Sequence, residues 1–354
     1  MRRNLLSLWV TSLTVMPVLL SATTLLPGQA AAVTGPGTLT AVAAVSADYV
    51  WAVGYEPAGR ILQPIIARWN GRAWREVQIA PDTVGDNTLF GVAAISKTSA
   101  WAVGDESRYR TLILHWNGRK WRQVASPAHG SLDAVAATSA RNAWAVGFAG
   151  DRTVIERWNG RSWRQVRSPV RTGHLLGVTA TSAANAWAVG SSGDRILLLH
   201  WNGKSWRRFP APSPKHGALN AVTATSARNA WAVGTVAPPT TSLPQRALIE
   251  HWNGRSWRLD PVSQPPQCCG ELFGVGASSA RNAWAVGIGG NGPGFSYIVI
   301  ERWQGRRWRP VTSPVKKGTL YGVAAIPAGR AWTVGLGNDA EGSLIMTWNG
   351  TAWH

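Results

Sequence analysis

Between Leu39 and Trp353 the chain alternates short apolar runs with short polar stretches of turn residues. Leu132–Val146, for example, consists of two apolar runs separated by a Ser-Ala-Arg-Asn turn. The next run, Val154–Trp158, is rich in β-branched residues, and an Asn-Gly pair separates it from Ser162–Val166. Runs of this length with such boundaries predict four short β-strands. The Asn-Gly pair predicts a type I′ hairpin turn between the third and the fourth.

This four-strand pattern is repeated seven times. The units open with seven leucines: Leu39, Leu89, Leu132, Leu175, Leu219, Leu272 and Leu320. Twelve residues later each has a tryptophan: Trp51, Trp101, Trp144, Trp187, Trp231, Trp284 and Trp332. Each unit then carries two tryptophans five residues apart: Trp69/Trp74, Trp116/Trp121, Trp158/Trp163, Trp201/Trp206, Trp252/Trp257, Trp303/Trp308 and Trp348/Trp353. A repeat of this length with four strands is typical of a propeller blade.

We therefore predict an all-β fold, a seven-bladed β-propeller with four antiparallel strands per blade. Residues 31–354 form this single domain. Its blades are expected near 38–87, 88–130, 131–173, 174–217, 218–270, 271–318 and 319–354.

The paired tryptophans are predicted to pack between blades. If Trp158 pairs across its turn with Arg161, Trp163 emerges on the same face of the blade as Trp158. Sugar-stacking platforms are the functional alternative. Because the spacing is identical in all seven units, packing between blades is favoured.

Two segments resemble known propeller families. The segment from Trp158 to Trp163 resembles a degenerate Asp-box of sialidase and BNR propellers, with the Gly, the hydroxyl residue and the final Trp in place and Trp158 at the Asp position. Asn142–Gly147 is similar to the second-strand motif of BNR-like, photosystem-assembly-type propellers. Kelch propellers are less similar, since only Gly289-Gly290 approaches their glycine doublet. The resemblance implies a fold and no activity, because the Asp-box is a structural turn.

Residues 1–30 are predicted to be a cleaved signal peptide. Arg2 and Arg3 precede the largely apolar stretch Leu5–Leu26, and small residues follow up to Ala32. A retained membrane anchor is the alternative, because the apolar stretch is long enough to span a bilayer. Cleavage would make the protein secreted, extracellular or cell-envelope associated, and not an integral membrane protein. The new N-terminus, near Ala32 and Val33, is expected beside Trp353 and His354, where it would complete the outer strand of the seventh blade.

Loop lengths differ between the two faces of the predicted ring. The spacing from leucine to tryptophan and the spacing within each tryptophan pair are constant, whereas the two other connections vary. In antiparallel blades these variable connections share one face. We predict that this face binds ligands, although loops free of function would also drift in length.

The residue after each opening leucine is expected at the mouth of the central channel on the same face. These residues are Thr40, Phe90, Asp133, Leu176, Asn220, Phe273 and Tyr321. The candidate ligand-binding residues are Asp133, Asn220, Phe90, Phe273, Tyr321 and, in a long loop of blade six, Tyr297.

The only cysteines, Cys268 and Cys269, are adjacent in a variable loop. Their Cα atoms lie only about 3.8 Å apart across a trans peptide, so a disulfide between them is strained. In an oxidising compartment free thiols rarely persist. A vicinal disulfide is the favoured interpretation, and an intermolecular bond is the alternative.

The net charge is +19, from 36 Lys and Arg against 17 Asp and Glu. Basic residues are expected to recur on the fourth strands, at the outer edge of the ring: Arg72, Arg75, Arg119, Arg122, Arg161, Arg164, Lys204, Arg207, Arg255, Arg258, Arg306 and Arg309. Such a belt suits an anionic cell-wall polymer or glycan. The alternative is edge protection against sheet aggregation. A secreted protein is not expected to bind nucleic acid physiologically, and we predict a monomer.

Catalytic residues, a metal and a cofactor are not predicted. His115, His200 and His251 occupy positions held by arginine in other units, whereas His129, His174 and His216 lie in variable loops. The prediction is therefore a binding or interaction module. The alternative is a propeller enzyme, of glycoside hydrolase or lyase type, with its site at the channel mouth.

Overall fold

We analysed a computed structural model of the chain, which describes residues 37–79, 86–107, 109–212, 216–237, 245–262, 270–290, 296–337 and 342–354. The predicted signal peptide, Cys268, Cys269 and the predicted closing segment at Ala32 and Val33 lie outside these ranges. No helix occurs in the described part of the chain, and therefore none there could cross a membrane.

The strands form seven antiparallel sheets, one for each predicted blade. The first strands are β1 (Thr38–Ser46), β5 (Asn87–Ser96), β9 (Ser131–Ser139), β13 (His174–Ser182), β17 (Gly217–Ser226), β21 (Gly270–Ser279) and β25 (Gly318–Ala325). The second strands are β2 (Tyr49–Ala58), β6 (Ser99–Glu106), β10 (Asn142–Ala149), β14 (Asn185–Ser192), β18 (Asn229–Val236), β22 (Asn282–Gly290) and β26 (Ala331–Gly337).

The third strands are β3 (Ile61–Trp69), β7 (Arg110–Trp116), β11 (Arg152–Trp158), β15 (Arg195–Trp201), β19 (Arg246–Trp252), β23 (Ser296–Trp303) and β27 (Ser343–Trp348). The fourth strands are β4 (Trp74–Glu76), β8 (Trp121–Gln123), β12 (Trp163–Gln165), β16 (Trp206–Arg208), β20 (Trp257–Asp260) and β24 (Trp308–Pro310). In blade seven Trp353 pairs with Trp348 at this position, and the backbones of Thr347 and His354 exchange hydrogen bonds of 2.9 and 3.0 Å.

The seven sheets form a closed ring in which the first strands lie innermost. Each first strand contacts the first strand of the next blade, and β25 contacts β1. At this closure Leu39 and Val42 pack in one buried cluster with Trp332 and Val334, and the hydroxyl of Ser343 donates to the carbonyl of Gly37 at 2.9 Å. The predicted seven-bladed β-propeller is therefore confirmed.

Tryptophans interlock at the blade interfaces, as predicted. Trp51 of blade one is fully buried, with its ring 5.0 Å from Trp116 and 5.1 Å from Trp121 of blade two. The same arrangement of one ring against two recurs around the propeller, for example with Trp144 against blade four. Burying such rings is worth several kcal/mol each, and their edge-to-face geometry adds about 0.5–1.5 kcal/mol per pair. The tryptophans are the core of the fold.

A cation or a histidine lies over these rings. The Arg157 guanidinium is 5.0 Å from the Trp144 ring and 5.3 Å from Trp201, in a sandwich between two blades. His200 takes this position in blade four, 4.3 Å from Trp187. Burial lowers the pKa of His200, which favours the neutral ring. These residues are packing groups, as the sequence predicted.

The hairpin between the third and fourth strands differs from the expectation. Trp158 pairs directly with Trp163, and not with Arg161. Gly160 has φ 94°, while Asn159 keeps a negative φ and its side-chain carbonyl accepts hydrogen bonds from the N–H groups of Arg161 and Ser162. A type I′ turn needs two residues of positive φ, so this prediction was wrong. The two indoles nevertheless share one face, because directly paired residues project to the same side.

Candidate functional site

The two ends of the blades form two distinct faces. We call the face with the second-to-third strand loops and the connections between blades the variable face, and the face with the other two turns of each blade the constant face. On the constant face the turns of one blade are tied together. The indole N–H of Trp158, for example, donates to the carbonyl of Ala140 at 3.0 Å, and Gly160 lies against Arg141.

A central cavity of about 190 Å³ is lined by three residues from each first strand. The first of the three in each strand is the residue that follows the opening leucine: Thr40, Phe90, Asp133, Leu176, Asn220, Phe273 and Tyr321. All seven side chains are half-buried. The structure thus brings together every predicted channel residue; their role in ligand binding stays a prediction.

Contacts to the neighbouring blade fix Thr40, Asn220, Phe273 and Tyr321. Thr40 donates to the carbonyl of Leu89 at 2.8 Å, and the amide of Asn220 donates to the carbonyl of Leu272 at 2.9 Å and to Glu271 at 3.0 Å. The rings of Phe273 and Tyr321 lie 5.4 Å apart. The residues that follow the opening leucines are therefore held in place by hydrogen bonds and ring contacts between blades.

Asp133 is the unusual polar group of the cavity. Its Oδ1 accepts from Ser131 at 3.3 Å, whereas its Oδ2 is buried and has no hydrogen-bond partner among the described residues. Burial raises the pKa of Asp133 to about 7; the hydrogen bond from Ser131 opposes this rise, and the negative charge of Asp105 adds to it. Asp133 therefore changes its charge near neutral pH.

Asp105 was not among the predicted site residues. It lies on β6, accepts a hydrogen bond from the hydroxyl of Thr88, and has a pKa raised mainly by burial. It directly follows Gly104, which the repeat places at the end of the apolar core of the second strand. Its sequence signal was a carboxylate at a position where the other blades carry uncharged residues: Tyr55, Phe148, Ser191, Thr235, Ile288 and Leu336.

Tyr297 lies apart from the cavity ring. It pairs with Gly289 across β22 and β23, and its ring rests over the Gly289 backbone. Its side chain is 37% exposed on the variable face. Tyr297 can therefore contact a ligand that extends over blade six, and it does not line the cavity.

The loop histidines do not converge. His174 stacks on Phe148 at 4.2 Å, and His216 has its backbone N–H bonded to the carbonyl of Asp194 and a φ of 67°. No group of three His, Cys, Asp or Glu able to hold a metal is found within the described ranges.

The two faces differ in charge. Every blade places exposed Lys or Arg in the constant-face turns: Arg72, Lys97, Arg119, Lys120, Arg141, Arg161, Lys204, Arg228, Arg255, Arg281, Arg306, Arg307 and Arg330. These turns, all of them described, contain one carboxylate, Asp48, which binds Lys97 at 2.9 Å. The variable face mixes both signs, with pairs such as Arg110–Glu106 at 2.6 Å.

Sequence comparisons identify no relative, since no family model and no curated protein matches the chain. Solved structures do match it. YCF48 bound to a D1 peptide has a TM-score of 0.62 and 16% identity, over 91% of this chain and 95% of that one. YCF48 from Cyanidioschyzon merolae has a TM-score of 0.61 and 14% identity, over 90% and 98%. A GH74 xyloglucanase from Xanthomonas campestris has 0.61 and 14%, over 90% and 55%.

At these identities the likeness concerns the fold alone. The expected similarity to photosystem-assembly-type propellers is matched at that level by YCF48. Membership of the BNR or kelch families stays a prediction. The chain thus shares the β-propeller fold of proteins that include a peptide-bound example and a xyloglucanase.

Proposed function

We propose that this protein is a secreted binding module that recognises a cell-envelope glycan or a related anionic polymer through its variable face. The observation that carries the proposal is the ring of dissimilar side chains around the central cavity. Scaffold positions repeat from blade to blade, whereas these positions combine aromatic, amide, hydroxyl and carboxyl groups. Concave sites with apolar walls and a few polar groups are typical of ligand recognition.

The chemistry of the ring suits a hydroxyl-rich ligand. Phe273 and Tyr321 offer apolar ring surface, and the unpaired Oδ2 of Asp133 can accept a hydrogen bond from a hydroxyl group. A buried acceptor without a partner gains from such a bond, because leaving it unsatisfied costs about 1–3 kcal/mol. Asp133 and Glu271 would repel an anionic group at the cavity itself, so acidic parts of a polymer are expected outside it.

Peptide is the other occupant to be considered, because the neighbouring YCF48 structure is bound to a D1 peptide. Binding should be measured against arrays of cell-wall glycans, anionic wall polymers and peptides. Phe273→Ala and Asp133→Asn should reduce glycan binding at least tenfold without lowering the melting temperature of the fold. Arg161→Ala, on the constant face, is the control. Loss of glycan binding only in the control variant would contradict the proposal, as would preference for peptides.

Secretion is tested separately. Expression of the whole chain in a secretion-competent bacterium should yield protein in the medium or cell wall whose N-terminal sequence begins at Ala31. Protein that stays in the cytoplasm with Met1 intact would contradict this part of the proposal.

A second candidate is glycoside hydrolysis at the same cavity. The specific observation in its favour is the carboxyl pair Asp133 and Asp105, whose charges interact and whose pKa values are both raised by burial. A carboxyl with a pKa near 7 can donate a proton to a leaving group at neutral pH, while a second carboxylate acts as base or nucleophile.

This candidate is tested by reducing-end release from wall glycans and xyloglucan oligosaccharides. Asp133→Asn and Asp105→Asn should each lower the rate at least a hundredfold, while Asp133→Asn keeps its affinity for the oligosaccharide. Absence of any release by the native protein over the pH range 5–8 would leave the binding module as the function.

A further inference from the structure

The constant face is basic around the whole ring, with Asp48 as the one carboxylate in its turns. Each blade contributes at least one exposed Lys or Arg to its turns, and the Asp48–Lys97 pair is the single ion pair among them within the described residues. Edge protection does not explain this arrangement, since turn residues at the end of a blade have no free strand edge to cover. Unpaired charges of one sign across a surface produce a potential that attracts polyanions.

One interface on this face is open. A cavity of about 400 Å³ lies between blades six and seven, and its lining includes Arg281, Arg302, Ser278 and Pro327. In blades one to six the first indole of the hairpin donates to a backbone carbonyl of the first turn, as Trp201 does to Ala183 at 3.1 Å. In blade seven the indole N–H of Trp348 is buried without such a partner.

The cause is the first turn of blade seven. Strand β25 ends at Ala325, and the turn closes on itself with hydrogen bonds from Ile326 to Arg330 at 3.0 Å and from Gly329 to Ile326 at 3.2 Å. Pro327 replaces a serine that all six other blades carry at this position. The altered turn borders the cavity through Pro327 and Gly329.

Arg302 presents a fixed cation to this space. Its guanidinium lies 4.9 Å from the Trp284 ring and 5.0 Å from Trp348, and it donates to the Asn282 side-chain oxygen at 3.3 Å. The equivalent Arg157 has the same sandwich but also donates to the carbonyl of Ala183 in the next blade at 3.4 Å. At Arg302 the corresponding N–H group borders the cavity, where a ligand oxygen can take the place of that carbonyl.

Arg281 and Ser278 supply further donors to the cavity. Arg281 is exposed at its edge, and the hydroxyl of Ser278 accepts a bond from the Asn282 amide at 2.8 Å, so its own proton is free for a ligand. Two guanidinium groups with a hydroxyl match the several oxygens of a phosphate, which Arg can bind with two parallel bonds.

We propose that the constant face binds a polymer of phosphodiester-linked polyols, with the cavity between blades six and seven holding one of its phosphates. Single-stranded nucleic acid has the same phosphodiesters, but the proteins that bind it add exposed aromatic rings on which bases stack. The large hydrophobic side chains exposed in the described chain are Ile61, Tyr109, Leu259 and Tyr297, and all lie outside the constant-face turns. This site is opposite the central cavity and does not depend on the glycan proposal.

The test uses a pair of equivalent substitutions. Arg302→His and Arg157→His each introduce the residue that blades two, four and five carry at this position, so both variants should fold. Binding of poly(glycerol phosphate) at low salt should weaken about tenfold in Arg302→His and less than twofold in Arg157→His, because loss of one charged hydrogen bond costs at least that factor. Arg281→Glu should weaken binding similarly, with Arg171→Glu of the variable face as its charge control.

Three outcomes would overturn the proposal. Equal losses of polymer affinity in Arg302→His and Arg157→His would show that the cavity between blades six and seven does not bind a phosphate. Equal losses of polymer affinity in Arg281→Glu and Arg171→Glu would show that the constant face is not the binding surface. If single-stranded DNA of the same charge binds as tightly as poly(glycerol phosphate), the proposed polymer class is wrong. Glycan binding that is lost in Asp133→Asn while polymer binding persists would confirm that the two sites are separate.

Discussion

The two faces of the propeller are built from the same strands but differ in what varies. On the variable face the loops change length from blade to blade, the charges are mixed and paired, and seven dissimilar side chains surround a cavity. On the constant face the turns keep one length and are basic, with Asp48 as their one carboxylate. Loop variation and charge are therefore independent signs of function, and a face of constant length can still be an interaction surface.

Both faces depend on the packing between them. Trp121 is fully buried, whereas Trp74, its equivalent at the ring closure, is half-buried. Trp121→Ala should lower the free energy of unfolding by about 3–5 kcal/mol, and Trp74→Ala by clearly less. Urea denaturation measures both values. Glycan binding at the central cavity and polymer binding at the constant face should be lost together in Trp121→Ala. Survival of one of the two would show that each face folds independently.

Ionisation on the variable face should make the stability of the fold depend on pH, whereas the constant face should not contribute to this dependence. The folded pKa of Asp133, about 7, lies above its ordinary 3.8, so its ionisation opposes folding. Stability should fall as the pH rises from about 4 to 7, by as much as about 4 kcal/mol. Asp133→Asn should remove this loss. Thermal unfolding at pH 5 and 8 checks it.

Glu301 has to be separated from this effect. It is buried between blades, and burial raises its pKa to about 7, so it contributes in the same pH window. Glu301→Met introduces the residue that blade seven carries at this position, Met346, and should remove the part of the pH-dependent loss of stability that Glu301 causes. Glycan binding should change with pH in this variant as in the native protein. A native pH profile retained by Asp133→Asn would contradict the role of Asp133.

Charge reversal should separate the faces by salt dependence. Arg228→Glu with Arg255→Glu alters two constant-face turns of blade five, and Arg167→Glu with Arg171→Glu makes the same change of net charge in a variable-face loop. At low ionic strength the first pair should weaken polymer binding about tenfold or more. The second pair should have a small effect, and 0.5 M salt should abolish the difference. Titrations at both salt concentrations measure it.

The smallest effect concerns the turns themselves. Trp252 donates its indole N–H to the carbonyl of Ala227 at 3.0 Å, whereas the buried indole N–H of Trp348 has no such acceptor. Trp252→Phe should therefore cost about 1 kcal/mol more than Trp348→Phe. Equal costs, measured by denaturation, would mean that the turn of blade seven is as firmly tied as the others.

The sequence predicted the fold because its dominant signal is physical repetition. One tryptophan at a fixed distance from a leucine and two more five residues apart locate the same packing layer in every blade. The residues around the central cavity could be predicted in the same way, because each directly follows an opening leucine. The pairing of Trp158 with Trp163 was missed because the side chain of Asn159 accepts hydrogen bonds from Arg161 and Ser162, which lengthens the hairpin loop by two residues.

Other features needed the three-dimensional structure. The pKa of Asp133 depends on burial and on Asp105, which belongs to another blade. The basic residues were first interpreted as a belt on the fourth strands, whereas many of them lie in turns that face one end of the ring. The cavity beside Arg302 is lined by Pro327 and Gly329 of the neighbouring blade, whose first turn differs from its counterparts at several positions.

The interlocked indoles also have an optical consequence. Rings about 5 Å apart at one blade interface after another, such as Trp284 and Trp348 at 4.8 Å, are close enough to share excitation energy. Absorbed ultraviolet light should therefore migrate between blades before it is emitted, and emission should come mainly from the lowest-energy indoles. At the closure of the ring Trp69 and Trp74 are half-buried and accessible to quenchers. The fluorescence of the whole propeller should thus report on the opening of a single interface.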